Sequence, residues 1–322
     1  MPKSILKKTV AVVLLFIGSY STLLAQEFNE LPNVYRLDTF NYKRARGVVA
    51  LETGLSVGSS IGLYKAWYSG YEQSGFHWID DSYGWLQIDK YGHAATAYHL
   101  VQFCYNMNRW SGMSKNKSML IGGGIAYGFQ TAIEFFDGLS EAWGASWTDA
   151  AMNTLGAATF ISQEYLWGEQ RIIWKYSFHP GNYSNYDINV QNRATALYSD
   201  IIFQQWLKDY NGQSYWLSIN PASFMNGNSR MPEWLNIAVG YSAEGLFGAN
   251  WNVWLADQCY YDYSHIPRYR QYLFSLDVDF TKLPIKAKWF RYMAPYLNII
   301  KVPFPTLEIN ELGKVKGYWM YF

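Results

Sequence analysis

The hydrophobic pattern of the chain has two periods. From about Asn41 to Arg171, apolar residues recur every three or four positions, the spacing of one helix face. Four helices are predicted there: Ala45 to Tyr68, Leu86 to Trp110, Ser118 to Phe136 and Trp147 to Trp167. Ser146, with Asp149 three residues on, reads as a capping box opening the fourth. Gly124 and Gly128 are spaced to let another helix approach closely. No helix has eighteen consecutive apolar residues, and each carries polar groups inside: Glu52, His93, Gln130 with Glu134, and Asn153. A soluble or peripheral bundle with a polar seam accounts for this. So does a membrane bundle with carboxylates in its interior.

From about Ser214 the period becomes two. Leu235, Ile237, Val239, Tyr241 and Ala243 alternate with Asn236, Ala238, Gly240 and Ser242. Tyr272, Phe274, Leu276, Val278 and Phe280 alternate with Leu273, Ser275, Asp277 and Asp279, and Tyr215, Leu217 and Ile219 with Trp216, Ser218 and Asn220. These are strands with one apolar face and one small or polar face. A half-buried sheet reads this way, and so does a membrane barrel strand with its large residues outward. The closing Tyr318-Trp319-Met320-Tyr321-Phe322 resembles the end of an outer-membrane barrel, although Lys314 and Lys316 share the Phe322 face. Five or six strands are predicted, fewer than the eight of the smallest such barrels. Residues 176–193, with Pro180, Gly181 and several Asn and Ser, read as a linker. A helix over Ala194 to Tyr210 leads into the strands.

The expected fold class is therefore α+β. A helical bundle of about four helices comes first, and an antiparallel β-rich region, a sheet or a small or partial barrel, comes second. The expected divisions are 1–25, 26–180 and 181–322.

The first of these is an address. Lys3, Lys7 and Lys8 precede an almost wholly apolar run from Thr9 to Leu24, and Ala25 offers a small residue for cleavage. A secretory signal peptide is the expectation, with an uncleaved anchor as the alternative. Loss of three lysines leaves 23 basic against 25 acidic residues. A near-neutral chain is not built to hold phosphate backbones, so nucleic acid is not an expected partner. Fifteen Trp, 28 Tyr and 18 Phe make 19% of the residues aromatic. Tyr and Trp suit surfaces with one apolar and one wet side, which points to membrane lipid as the partner. Only Cys104 and Cys259 are present, so a disulfide scaffold is excluded. Cys104, in a helical pattern, reads as a buried free thiol.

One set of residues has chemical potential. Asp89 and His93 are four apart and share a helix face, where a carboxylate fixes the imidazole tautomer. His99 lies some 240° around the same helix from His93, which argues against a two-histidine metal site. Glu134, Asp137 and Glu141 form an acidic stripe if Gly138 does not end the helix. Asp149 and Asn153 share a face of the fourth helix. If the bundle closes, Asp89, His93, Glu134, Asp137, Asp149 and Asn153 converge, as a divalent-cation site, an acid/base pair or a satisfied polar network. No phosphate loop or nucleophile elbow is present, cofactors stay open, and His77, His179 and His265 stand alone. Arg268 and Arg270 read as solvated or as contacts for lipid headgroups.

Asp89-Lys90-x-x-His93, Glu134-x-x-Asp137 and Trp143-x-x-Ser146-Trp147-x-Asp149-x-x-x-Asn153-x-x-Gly156 together resemble the YfiM-like family of bacterial envelope proteins. More loosely, the order of these residues is similar to VanZ-like membrane proteins. The resemblance covers about residues 45–170. It implies a helical first half and a periplasmic or outer-membrane location, and no reaction. No Cys ends the signal segment, and the strand-rich half has no counterpart in the short members. The functional expectation is an exported envelope protein, in the periplasm or outer membrane, with a structural or lipid-interacting role. The alternative is an envelope lipid or cell-wall hydrolase.

Overall fold

The structure, a computed structural model, describes residues 39–322 except 69 and 226–230. The expected signal segment lies outside the described residues. The fold is mixed helix and antiparallel sheet, which is the expected α+β class. The chain forms two compact units. One takes in the chain up to Asp81 together with Thr96–Glu169, and the other Ser82–Ala95 with Gln170–Phe322.

The first unit is helical. Helix α1 (Tyr42–Leu63) is capped by Asn41, whose side chain accepts from the Arg44 amide, and runs into a π-helical turn (Tyr64–Tyr68). Helix α2 (Ile88–Trp110) begins in the second unit and contributes its residues from Thr96 onward to the first. Helix α3 (Lys115–Asp137) ends at Gly138, so the acidic stripe is broken before Glu141. A short parallel pair joins β1 (Trp78–Ile79) to β2 (Ala145–Ser146). Helix α4 (Trp147–Trp167) opens on the expected cap, with Ser146 Oγ accepting from the Asp149 amide at 3.1 Å. Close approach of α2 and α3 occurs at Gly122, not Gly124. A Cβ on Gly122 would stand 2.9 Å from the Tyr105 amide nitrogen, whereas one on Gly124 would meet nothing within 4 Å. Cys104 is buried and free, its thiol pushed well up in pKa by burial and then by Glu52. Cys259 is exposed and also free.

The second unit is built on a six-stranded sheet. Its strands are β3 (Ile172–Phe178), β4 (Gln213–Ile219), β5 (Leu235–Glu244), β8 (Tyr269–Val278), β9 (Phe304–Asn310) and β10 (Val315–Tyr321). Every neighbouring pair is antiparallel. A hairpin of β6 (Val253–Ala256) and β7 (Cys259–Asp262) stands apart, packed on α5 (Ile188–Tyr198) through Trp254 and Val190. Two predictions are corrected here. The expected linker at 176–193 opens with the end of β3 and closes in α5. The helix expected over Ala194 to Tyr210 is α5 followed by α6 (Ile202–Lys208), broken at Ser199, where φ is +69°. Helix α7 (Lys288–Leu297) lies between β8 and β9.

This sheet is inverted relative to an ordinary half-buried one. Its concave face carries Asn236, Ala238 and Ser242 of β5, Leu273 and Asp277 of β8, and Ser214, Trp216 and Ser218 of β4, all fully buried. Its other face carries Ile237, Val239, Tyr272, Phe274, Leu276, Leu307 and Ile309, each 40–47% exposed. Much of the polar interior is satisfied internally. Lys175, fully buried, pairs with Asp277 at 2.7 Å and donates to the Val278 carbonyl. Ser218 Oγ donates to Asp277 at 2.6 Å, and Asn236 donates to Ser218. The 298–302 segment lies over this interior, with Lys301 Nζ donating to Ser275 Oγ and the Val302 amide to Asp277. It also pairs with the β3 edge, through Tyr176 N to Ile299 O and Lys301 N to Tyr176 O. The sheet curls far enough that Tyr321, on the last strand, reaches the His179 ring beside the first strand at 5.7 Å. Tyr321 also bonds Ser214 and packs on Trp216.

Candidate functional site

Two regions have functional character. The first is the polar seam of the helices. Glu134, near the end of α3, accepts from the Ser146 amide at 3.1 Å. Ser146 Oγ donates to Asp81 at 2.5 Å, and Thr148 Oγ1 donates to the same Asp81 oxygen at 3.0 Å. Gln130 donates to Asn153 at 2.6 Å, with both side chains buried. Glu134, Asp149 and Asn153 are each under 10% exposed. The carboxylates are therefore held by hydroxyls, an amide N–H and a helix start. That is what keeps buried charge tolerable.

Helix α2 is continuous and carries Asp89 and His93 on its first turns. Asp89 and His93 belong to the second unit, and Asp81, Glu134 and Asp149 to the first. Asp137 behaves differently. It accepts from the Tyr68 hydroxyl at 2.7 Å. The sequence reading missed Asp81 and Thr148. Asp81 sits in a loop 65 residues from its Ser146 partner, and no periodicity marks it.

The second region is the exposed face of the sheet. Its register sorts it into rows. Ile172, Ile219, Ile237 and Leu276 face one another in turn across β3, β4, β5 and β8. The next row is Trp174, Leu217, Val239, Phe274 and Leu307, and the next is Tyr176, Tyr215, Tyr241, Tyr272 and Ile309. Beyond the tyrosines stands a charged border, where Arg270 pairs with Glu311 at 2.7 Å and also holds Gln87. Arg268 likewise donates to the Gly248 and Ala249 carbonyls, so both arginines are structural and neither is simply solvated. The start of α2 covers part of this face. Tyr91 stacks on Tyr241 at 4.4 Å, and Gly92 passes so close to Tyr215 that a Cβ there would meet its hydroxyl at 2.8 Å. The β5–β8–β9 part stays bare. From Tyr272 to Val278 the band is about 20 Å long at 3.4 Å per residue.

Residues 75–163 match the family model described as "Predicted periplasmic lipoprotein (DUF2279)". This segment holds Asp81, Asp89, His93, Glu134, Asp149 and Asn153, and it fits an uncharacterised envelope family. The narrower YfiM-like and VanZ-like likenesses rest on the motif residues alone. No curated protein and no solved structure matches the chain. Among the described residues, no helix is long and apolar enough to cross a membrane.

Proposed function

We propose that this is an exported envelope protein that seats the bare face of its sheet in the lipid of the outer membrane, in a structural or lipid-interacting role. The observation that carries this is the inversion of the sheet, with polar and ionic groups sealed inside and an uncharged apolar band outside. Burying one such band removes apolar area from water at about 25 cal/mol per Å². A water-facing sheet would gain nothing from the arrangement and would carry an aggregation hazard. Three features support lipid as the occupant. Strands β5 and β8 are 10 residues each, and a tilted membrane strand needs about 9–11. Tyr272, the exposed tyrosine at the border of the bare band, stands where an aromatic girdle would. The Arg270–Glu311 pair begins where the band stops. The description of the matched family supports export. In this reading the helices of the first unit close as a bundle around their polar seam. Fractionation of expressing cells tests it. The mature chain should stay with outer membranes through a high-salt wash, and its recovery in the soluble periplasmic fraction would refute the membrane seat.

The buried carboxylates Glu134 and Asp149 of the first unit favour a second reading, in which the seam hydrolyses an envelope lipid or cell-wall bond. Glu134→Ala and Asp149→Ala should then abolish a cellular phenotype with little loss of melting temperature. Loss of stability with function retained per folded molecule would make the seam structural.

A further inference from the structure

We infer that one end of the first unit docks on an anionic lipid surface, with basic side chains on the phosphate headgroups and exposed rings and leucines in the layer beneath. This rests on the lipid-interacting reading above and names a second surface with its own chemistry. At this end the start of α1, the close of α2, the start of α3 and the close of α4 come together, all within the first unit. Asn41 N donates to Ser111 O at 2.8 Å, and Arg44 Nη1 to Trp110 O at 3.5 Å. Met113 and Ile121 pack against Phe40 and Val49. Gly168, just past α4, lies beside Lys115, and a Cβ there would stand 3.6 Å from the Lys115 Nζ.

The charge at this end is basic. Lys43, Arg44 and Arg46 stand in the first turns of α1, and Lys115 and Lys117 in the first turn of α3. Lys43 and Arg46 are exposed. Among the described residues there, Glu52 and Glu164 are buried, accepting from Asn108 and from the Tyr105 hydroxyl, and Glu169 is half-buried. A helix start carries about half a positive charge, which an acid normally complements, as Asp149 does in α4. Neither α1 nor α3 has an acid in its first turn, and the Ser114 side chain does not cap α3. Lysines and arginines add to the positive end instead, so both starts suit an anion from outside.

The neighbouring side chains select lipid from among anions. Leu120, Tyr165 and Leu166 are 66–68% exposed at the same end, on α3 and α4. Tyr42 is exposed beside Arg46, whose guanidinium lies 5.8 Å from its ring centroid. A soluble polyanion gains nothing from exposed leucines, whereas a bilayer takes them into the boundary between headgroups and acyl chains. The chain as a whole is near neutral, with 26 basic against 25 acidic residues. The basic field is therefore local to this end, as on a membrane-surface patch.

The test is co-sedimentation of the full mature chain with vesicles of phosphatidylcholine alone and in equal parts with phosphatidylglycerol, at low and high salt. The parent should bind the mixed vesicles about tenfold more tightly or better, a preference that high salt removes. Lys43→Gln with Arg46→Gln should weaken binding to the mixed vesicles about twentyfold, and Lys115→Gln about fivefold, with phosphatidylcholine binding and melting temperature unchanged. Lys43→Arg with Arg46→Lys should bind like the parent. Tyr165→Ser with Leu166→Ser should weaken binding to the mixed vesicles about tenfold. Equal binding of the parent to both vesicles, or glutamine variants that bind like the parent, overturns the inference. A soluble polyphosphate that binds as tightly as the mixed vesicles, with the serine variant unaffected, overturns lipid as the occupant and assigns the surface to an acidic polymer. Phe274→Arg, on the bare sheet face, reads the other surface separately. If it loses binding to both vesicles and the parent shows no anionic preference, this surface falls and the sheet seat stands. If the anionic preference is intact and Phe274→Arg binds phosphatidylcholine like the parent, this surface stands and the sheet seat falls.

Discussion

Phe274→Arg puts a charge at the centre of the bare band. Phe274 lies between Val239 and Leu307 in register, and all three are 40–44% exposed. It is two residues, about 7 Å, inward from the tyrosine row. If the band faces lipid, an arginine near the middle costs about 2–4 kcal/mol of membrane stability. That is a roughly thirty- to several-hundred-fold loss of partitioning at about tenfold per 1.4 kcal/mol. If the band faces water, the same change costs only a β-propensity difference of at most about 1 kcal/mol and leaves partitioning alone. The assay is flotation of the mature chain with lipid vesicles, alongside a urea melt. Leu255→Arg is the control, on the exposed β6–β7 hairpin away from the sheet. Parent-like flotation by Phe274→Arg, or an equal loss in both variants, would refute the reasoning.

Gly240→Ala should destabilise the second unit by about 1–3 kcal/mol in a urea melt, because a Cβ there would stand 2.5 Å from the fully buried Trp216 ring. Lys175→Met should cost about 3–5 kcal/mol by stranding Asp277, and Lys175→Met with Asp277→Leu should recover much of it. Gly122→Ala should lower the melting temperature of the first unit, while Gly124→Ala raises it or leaves it unchanged. Burial pushes the Asp209 carboxyl above its ordinary pKa, against the bonds donated by Tyr183, Gly181 and Asn211. The folded state then holds the proton more tightly than the unfolded one, so this contribution is present below about pH 4 and is lost as pH rises through the raised pKa. The stability of Asp209→Asn relative to the parent should therefore grow from about pH 4 to about pH 7, and a difference that shrinks over that range would contradict the burial account.

Local periodicity carried most of the element assignments, and partners distant in sequence explain the failures. Trp147–Trp167 was legible to the residue because a Ser cap and a Gly stop bracket it. The alternation of β5 and β8 was legible together with the face it would expose, since large apolar and small polar residues separate cleanly there. Strand β3 was missed. Its Ile-Ile-Trp-Lys-Tyr run places a lysine where a core residue is expected, and that lysine is tolerable only because Asp277, more than a hundred residues on, sits beside it. The split between α5 and α6 turns on a positive φ at Ser199, a position with no glycine to announce it. At the C-terminus, a register shift between Tyr318 and Tyr321 breaks the simple alternation that set Lys316 and Phe322 on one face. In the helical seam, the motif spacing picked out Glu134, Asp149 and Asn153. It also included Asp137, which serves Tyr68, and left out Asp81, which loop sequence does not reveal.

The central claim is that the bare β5–β8–β9 face lies in lipid, and a probe on that face reports it directly. An environment-sensitive fluorophore attached through Leu276→Cys, with Cys259→Ser and the buried Cys104 retained, can be read in vesicles against two quenchers, one carried on lipid chains and one dissolved in water. The membrane seat predicts quenching of the Leu276 probe by the lipid-borne quencher and protection from the aqueous one, with the reverse for a probe at Leu255. A Leu276 probe quenched only from the water would contradict it.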